Sequence, residues 1–263
     1  MVSFWLADPN LNFYETLNLI YESNLTVTFE LFLKYFHLIF GYDIHLSRYF
    51  NLLISALSIY YFFKLLENNA YIFLKDNNEY VIYLGLFLIC LNIFHIRYAF
   101  EVRSYTLTFL LAIILINQIF KNEFIKEKFS LFDYFKISIV VTALLFSHAF
   151  SILIIISLNI YIFLLFVLKK DNSKNIFVIF IINTLISMFF LYFYLKGINH
   201  TPDWITQIKP SFYTNFFFSN FFGSRIVGGV YFLILIFLIY NLYGQIIKNF
   251  GINYFFLIHT WCP

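Results

Sequence analysis

His95, Arg97, Glu101, Arg103 and Tyr105 crowd into the segment Ile93–Leu107, IFHIRYAFEVRSYTL. Two guanidiniums with a carboxylate between them suit the binding of a phosphate, because arginine offers a rigid bidentate fork of donors. Apolar runs flank the segment, which places these charges near membrane depth if the runs are membrane spans. There each costs about 2.5–3.5 kcal/mol, so such residues pair with one another or serve a site. A continuous helix puts Arg97, Glu101 and Tyr105 on one face at i, i+4 and i+8 and points Arg103 elsewhere. The residues alone allow two readings: a phosphate site, or an Arg97–Glu101 pair at a helix end with Arg103 snorkelling to the interface.

Other polar residues have plainer roles beside any functional one. His148, in LLFSHAFS, falls between two apolar runs, where a lone histidine ordinarily makes interfacial hydrogen bonds. Arg48, in HLSRYFNLLISAL, opens an apolar run and suits a headgroup anchor; Trp5 and Trp204 suit the aromatic belt. Asn24-Leu25-Thr26 fits a glycosylation sequon, a three-residue match that carries little weight.

The elements that position these residues are set by composition. With 62% apolar and 12% charged residues and a mean hydropathy of +0.81, the chain lies outside the soluble globular range. It has 39 phenylalanines and 21 tyrosines but only eight glycines and four prolines, which favours long helices over turn-rich β structure. The alternating ten-residue segments of a transmembrane barrel are missing from the pattern. The net charge of +3 is dispersed, with no basic patch for nucleic acid. Cys90 and Cys262 give neither a CxxC spacing nor a disulfide framework.

A membrane helix needs about 20 mostly apolar residues. On that standard, spans are expected at 48–66, 80–98, 104–120, 149–168, 175–195 and 229–247, with a shorter one at 137–148 and a partial one at 251–263. The expectation is an all-α, polytopic transmembrane bundle of seven complete spans and part of an eighth. Thr28–Phe40, with Glu30, Lys34 and His37 among aromatics, reads as an amphipathic helix lying at the interface. The expected organisation is one domain over 1–263: an outer segment 1–47 with the interfacial helix, transmembrane helices in 48–195, an outer loop 196–228, and transmembrane helices in 229–263.

The lysine-bearing linkers KLLENNAYIFLKDNNEY, KNEFIKEKFSLFDYFK and KKDNSKN are assigned to the cytoplasmic side. Alternation then puts ten basic residues inside, all lysine, and seven outside. The outer seven include all four arginines: Arg48, Arg97, Arg103 and Arg225. The residue best suited to phosphate is thus confined to one face, and function is sought there.

The order of these segments resembles the dolichyl-phosphate-mannose protein mannosyltransferase family and its bacterial relatives, polytopic glycosyltransferases of the GT-C type. FLKYFHLIFGYDIHLSRYFNLLISALSIYYFFKLL looks like the family's interfacial helix, FG turn and arginine-led start of the next span. FEVRSYTLTFLLAIIL is similar to its E-x-R-x-Y-x-L segment, LLFSHAFSILIIISLN to its histidine-containing turn, and DWITQIKPSFYTNFFF to its outer W-I-x-x-P-S stretch. SNLTVTFELF departs from the proline pair that the family often has at that place.

The resemblance implies transfer of a sugar from a polyprenyl phosphate to a protein, lipid or glycan acceptor, in a bacterial inner membrane with the site facing the periplasm. A carboxylate would activate the acceptor hydroxyl and cationic groups would stabilise the departing phosphate. It gives the phosphate task to Arg103, Arg97 and Arg48, with Glu101, Tyr105 and His148 beside them. The family's catalytic Asp-Glu pair lies after a first transmembrane helix, and MVSFWLADPNLNFYETL looks like the loop downstream of it. The base is therefore expected upstream of Met1 and the chain reads as cut at both ends, FLIHTWCP stopping within a span. Asp8 is the nearest acidic substitute, although Asp-Pro-Asn also suits a turn that caps the next helix. No cofactor is implied, and a divalent metal is compatible. The alternatives are a lipid-linked saccharide flippase, a catalytically inactive relative and a non-catalytic scaffold.

Overall fold

In the computed structural model, the structure describes residues 2–22, 27–73, 78–121, 130–148, 151–168, 173–197, 224, 226–230, 232–233 and 236. The described residues are helical, with no strand among them. The helices are α1 (Val2–Leu6), α2 (Phe13–Glu22), α3 (Val27–Phe40), α4 (Ile44–Phe73), α5 (Asn78–Cys90), α6 (Ile93–Phe100), α7 (Tyr105–Lys121), α8 (Leu131–Leu145), α9 (Ser151–Leu168) and α10 (Ser173–Gly197).

Contacts divide the chain into two units, Met1–Ile205 and Thr206–Pro263. In the second, Ser224 starts a helical turn at 226–230, its Oγ accepting from the Val227 amide at 3.1 Å. Arg225, Trp204, Asn24, Cys262, the DWITQIKPSFYTNFFF stretch and the 251–263 span lie outside the described residues, as does most of 229–247.

In the first unit α4 is the central element, packing on α5, α6 and α7; α8, α9 and α10 continue the bundle from α7. One apolar core joins α3, α4 and α7 through Phe29, Leu33, Ile54, Leu107 and Leu110. Another joins α7 to α10 through Leu115, Val141, Ile155 and Ile179.

Among the described residues, two helices are long and apolar enough to cross a membrane. They are Ile44–Glu67, of 24 residues, and Phe177–Leu195, of 19, and little of each is buried inside the protein. Tyr105–Ile119 and Ser151–Phe163 are apolar but shorter. The α4 surface inverts the soluble pattern: Ser47, Asn51, Ser55 and Ser58 face inward, while Tyr49, Leu53, Leu57 and Tyr60 face outward. A water-soluble domain does the reverse at such positions.

Helix ends follow local chemistry. Gly41, at φ 102, ends α3 in the left-handed conformation that glycine adopts without strain, and its amide donates to the His37 carbonyl. Asp43 then caps α4, its Oδ1 accepting from His45 N at 2.7 Å and Leu46 N at 3.1 Å. The expected 137–148 span begins earlier, at Leu131, because Ser130 and Asp133 form a reciprocal capping box. The expected continuous span 80–98 is two helices: α5 ends at Cys90 and α6 starts behind the N-cap Asn92.

The segment before α4 holds three helices joined by buried polar contacts. The α3 helix is amphipathic, with its polar residues turned inward: Glu30, Lys34 and His37 are buried, while Phe32, Tyr35 and Ile39 are exposed. Lys34 Nζ donates to the Asp8 carbonyl at 2.8 Å, the Leu11 carbonyl at 2.6 Å and Thr16 Oγ1 at 2.9 Å. His37 bridges the Ala7 carbonyl and Ser47 Oγ, and Ser3 Oγ donates to Glu30 Oε1 at 2.9 Å. Together these bonds fasten α1, α2 and the turn between them to α3, and the His37–Ser47 contact ties α3 to α4.

Candidate functional site

The polar segment is two helices separated by a turn. The last helical residue of α6 is Phe100, and Glu101 is the C-cap, extended at φ −86 and ψ 129. The Arg103 amide then donates to the Glu101 carbonyl at 2.8 Å, and α7 starts at Tyr105. This break corrects the single-helix expectation for Arg103. Leaving the helix at Glu101 makes a tight turn that brings Arg103 to the carboxylate.

Glu101 consequently holds both arginines. Arg97 Nε donates to Oε1 at 2.8 Å, and Arg103 Nε lies 3.4 Å from Oε2. The arginine side chains are 62% and 54% exposed, against 31% for the glutamate. Only the Nε of each guanidinium is engaged, so among the described residues the Nη donors of both have no hydrogen-bond partner. Two cations share one anion, and the excess positive charge faces outward.

Aromatic rings extend from this cluster. The Arg97 guanidinium lies 5.9 Å from the Tyr98 ring centroid, a long cation–π distance. Tyr98 packs on Tyr105 at 4.3 Å, and Tyr105 on His148 at 4.8 Å. Thr108 Oγ1 and Ser147 Oγ, 2.9 Å apart, tie α7 to the turn that carries His148. His95 faces α4 instead, its Nε2 2.9 Å from Ser55 Oγ.

Of the sequence-derived candidates, the structure brings Arg97, Glu101, Arg103, Tyr105 and His148 together. Arg48 stands exposed on α4 and makes no hydrogen bond or ion pair among the described residues. Asp8 is partly buried, with Oδ1 accepting from the Asn10 amide at 2.8 Å in a tight turn. The cap of α2 is Asn12, not Asp8: Asn12 Oδ1 accepts from Glu15 N, and Glu15 Oε2 accepts from Asn12 N. Asp8 is thus a turn residue whose carbonyl is held by Lys34.

Sequence reasoning missed Asn51. Its fully buried side chain donates from Nδ2 to the Tyr98 carbonyl at 2.6 Å and to the Glu101 carbonyl, and its Oδ1 accepts from Thr106 Oγ1. The available signal was a polar stripe, Ser47, Asn51, Ser55 and Ser58, at helical spacing within an apolar run.

A groove of about 720 Å³ runs between α3 and α8, lined by Leu31, Phe32, Tyr35, Phe135, Ile139 and Phe146 among others. Its aliphatic hydroxyls are engaged within the fold: Thr28, Ser138 and Thr142 donate to the backbone carbonyls of Ala143, Tyr134 and Ser138. Phe146 lies two residues before His148, at the aromatic end of the arginine cluster. Among the described residues no group of three or more His, Cys, Asp or Glu is arranged to hold a metal.

No protein-family model, curated protein or solved structure matches the chain.

Proposed function

We propose that the chain is a multi-spanning membrane protein in which Arg97 and Arg103, paired through Glu101, bind the phosphate of a polyprenyl-phosphate sugar during glycosyl transfer. The observation that carries this reading is the division of labour on each guanidinium. Glu101 takes the Nε side, leaving the Nη donors for an anion. The membrane setting is supported by the apolar outer face of α4 and α10, and the chemistry by the resemblance of the segment order to the mannosyltransferase family.

In this reading an acceptor hydroxyl attacks the anomeric carbon while the bond from that carbon to the phosphate oxygen breaks. The arginines stabilise the charge that collects on the leaving polyprenyl phosphate. The acceptor proton passes to a carboxylate, which the resemblance places in an acidic pair preceding these residues. The reading does not use Asp8, one of whose oxygens is engaged in its turn. The apolar α3–α8 groove, close in sequence to the His148 turn, suits the hydrocarbon tail.

The test is Arg103→Lys, assayed in native membranes with a polyprenyl-phosphate sugar donor. A lysine keeps the charge and loses the planar fork. Losing one charge-assisted hydrogen bond, worth about 1.5–3 kcal/mol, slows transfer by about ten- to a hundredfold. Membrane insertion stays normal. Undiminished transfer by the lysine variant would show that Arg103 only anchors its helix, and the phosphate role would be abandoned.

A further inference from the structure

We infer that Asn51 is the positioning residue that sets the spacing of the Arg97 and Arg103 guanidiniums, and so prepares them for a polyprenyl phosphate; the second half rests on the phosphate reading above. The inference starts from the carbonyls that a helix end leaves without intrahelical partners. Because α6 stops at Phe100, the Tyr98 carbonyl has no intrahelical donor, and the Glu101 carbonyl beyond it, which already accepts from the Arg103 amide, has a second lone pair to fill. Asn51, one turn after Ser47 on α4, supplies both from a single side-chain nitrogen. The same amide accepts from Thr106 in the first turn of α7.

One side chain therefore ties the end of one helix to the start of the next, and the two arginines lie on the segment so tied. Tyr98 adjoins Arg97, and Glu101 is the residue whose carboxylate holds both guanidiniums. Asn51 is fully buried and Thr106 nearly so, which keeps water from replacing these bonds. The identity of the side chain matters. Aspartate has the same shape but no N–H, and it would turn a carboxylate toward backbone oxygens. Serine is too short to span from Tyr98 to Thr106. Asparagine, carrying two donors and an acceptor in one plane, fits all three partners.

Two variants and two readouts test this on the full chain in lipid nanodiscs. Asn51→Asp removes both donors; Thr106→Val removes only the hydroxyl that orients the amide, and is the milder change. The first readout needs no ligand: the Arg97 Nε–H resonance, assigned by its loss in Arg97→Lys and held by Glu101 in the parent protein. It is expected to lose its protection from solvent exchange in Asn51→Asp and to weaken in Thr106→Val, with the thermal midpoint of Thr106→Val close to that of the parent. The second is affinity for decaprenyl phosphate, with decaprenol as the uncharged control. It is expected to fall at least about tenfold in Asn51→Asp, the equivalent of one charge-assisted hydrogen bond.

A protected Arg97 Nε–H in both variants overturns the positioning role. If Asn51→Asp fails to insert, Thr106→Val decides the matter alone. If the variants show the expected resonance changes but the parent binds decaprenyl phosphate no better than decaprenol, Asn51 remains the residue that positions the pair and the phosphate reading is removed instead.

Discussion

Glu101 and Arg103 meet twice across a single intervening residue. The Arg103 amide donates to the Glu101 carbonyl at 2.8 Å, and the Arg103 Nε lies 3.4 Å from Glu101 Oε2. The backbone contact fixes the turn, so the side-chain contact follows from it at little entropic cost. Arg97 reaches the same carboxylate from the helical side, and the glutamate becomes the common support of two cations. Such a carboxylate contributes more to arrangement than to stability, because exposed ion pairs are worth about 0–1 kcal/mol.

Glu101→Gln separates those two contributions. The variant is expected to lose less than about 1 kcal/mol of stability, in line with exposed pairs in general. The guanidiniums, no longer held, repel each other, and under the proposed function glycosyl transfer falls by about tenfold or more, which corresponds to roughly 1.4 kcal/mol of barrier. Binding of the lipid phosphate becomes steeper in its salt dependence, since the site has gained a net positive charge. Transfer rates and binding at two ionic strengths measure both effects. Full activity in the glutamine variant would mean that the arginines do not depend on Glu101 for their placement.

Lys34→Met tests the join between the N-terminal helices. The ammonium satisfies the carbonyls of Asp8 and Leu11 and the Thr16 hydroxyl in a buried site. A methionine fills similar volume and donates nothing, so three acceptors lose their partner. Hydrogen bonds to a charged group are worth about 1.5–3 kcal/mol each, offset in part by no longer burying the charge. A net destabilisation of about 3 kcal/mol is expected, concentrated in α1, α2 and the link between them. Limited proteolysis in nanodiscs reads it as new cleavage around Asp8–Asn12. An unchanged cleavage pattern would show that the helices hold together without this lysine.

What the sequence made legible depended on the length scale of the interaction. The long apolar runs marked α7, α9 and α10 to within a few residues and the middle of α4, which extends beyond the expected 48–66 to Ile44 and Phe73, because burial against either lipid or protein needs nothing beyond the run itself. The 80–98 segment was legible as apolar and illegible as broken. Asn92 caps α6 by accepting from the His95 amide, yet a single asparagine in an apolar run looks the same whether or not it caps. Arg97 and Glu101 were legible as a pair at helical spacing. Arg103 would point away from that pair only in a continuous helix, and the helix ends before Glu101. Lys34 and Asn51 were illegible for one common reason: their main partners are backbone carbonyls of distant residues, which leave no mark on the sequence. Read by side-chain type alone, both look like surface residues.

The buried carboxyl of Glu30 gives the N-terminal helices a defined pH response. This helix is read as interfacial, outside the spanning segments. Burial raises the Glu30 pKa from 4.5 to about 7, outweighing the Ser3 hydrogen bond, and Oε2 has no partner among the described residues. The folded state therefore binds the proton more tightly than the unfolded chain. Its stabilisation is complete below about pH 4.5 and is lost as pH rises through about 7. The full span corresponds to about 3 kcal/mol. His37 opposes this on the acid side: burial lowers its pKa, so its contribution is present above about 6.5 and lost as pH falls. Glu30→Gln removes the first effect and leaves the second. The glutamine variant is expected to be more stable than the parent at pH 8.5, with little difference at pH 5, as read from thermal unfolding of the protein in nanodiscs. Parallel curves for the two proteins across that range would mean that Glu30 is ionised in the folded state at all these pH values, and that its burial is relieved by water.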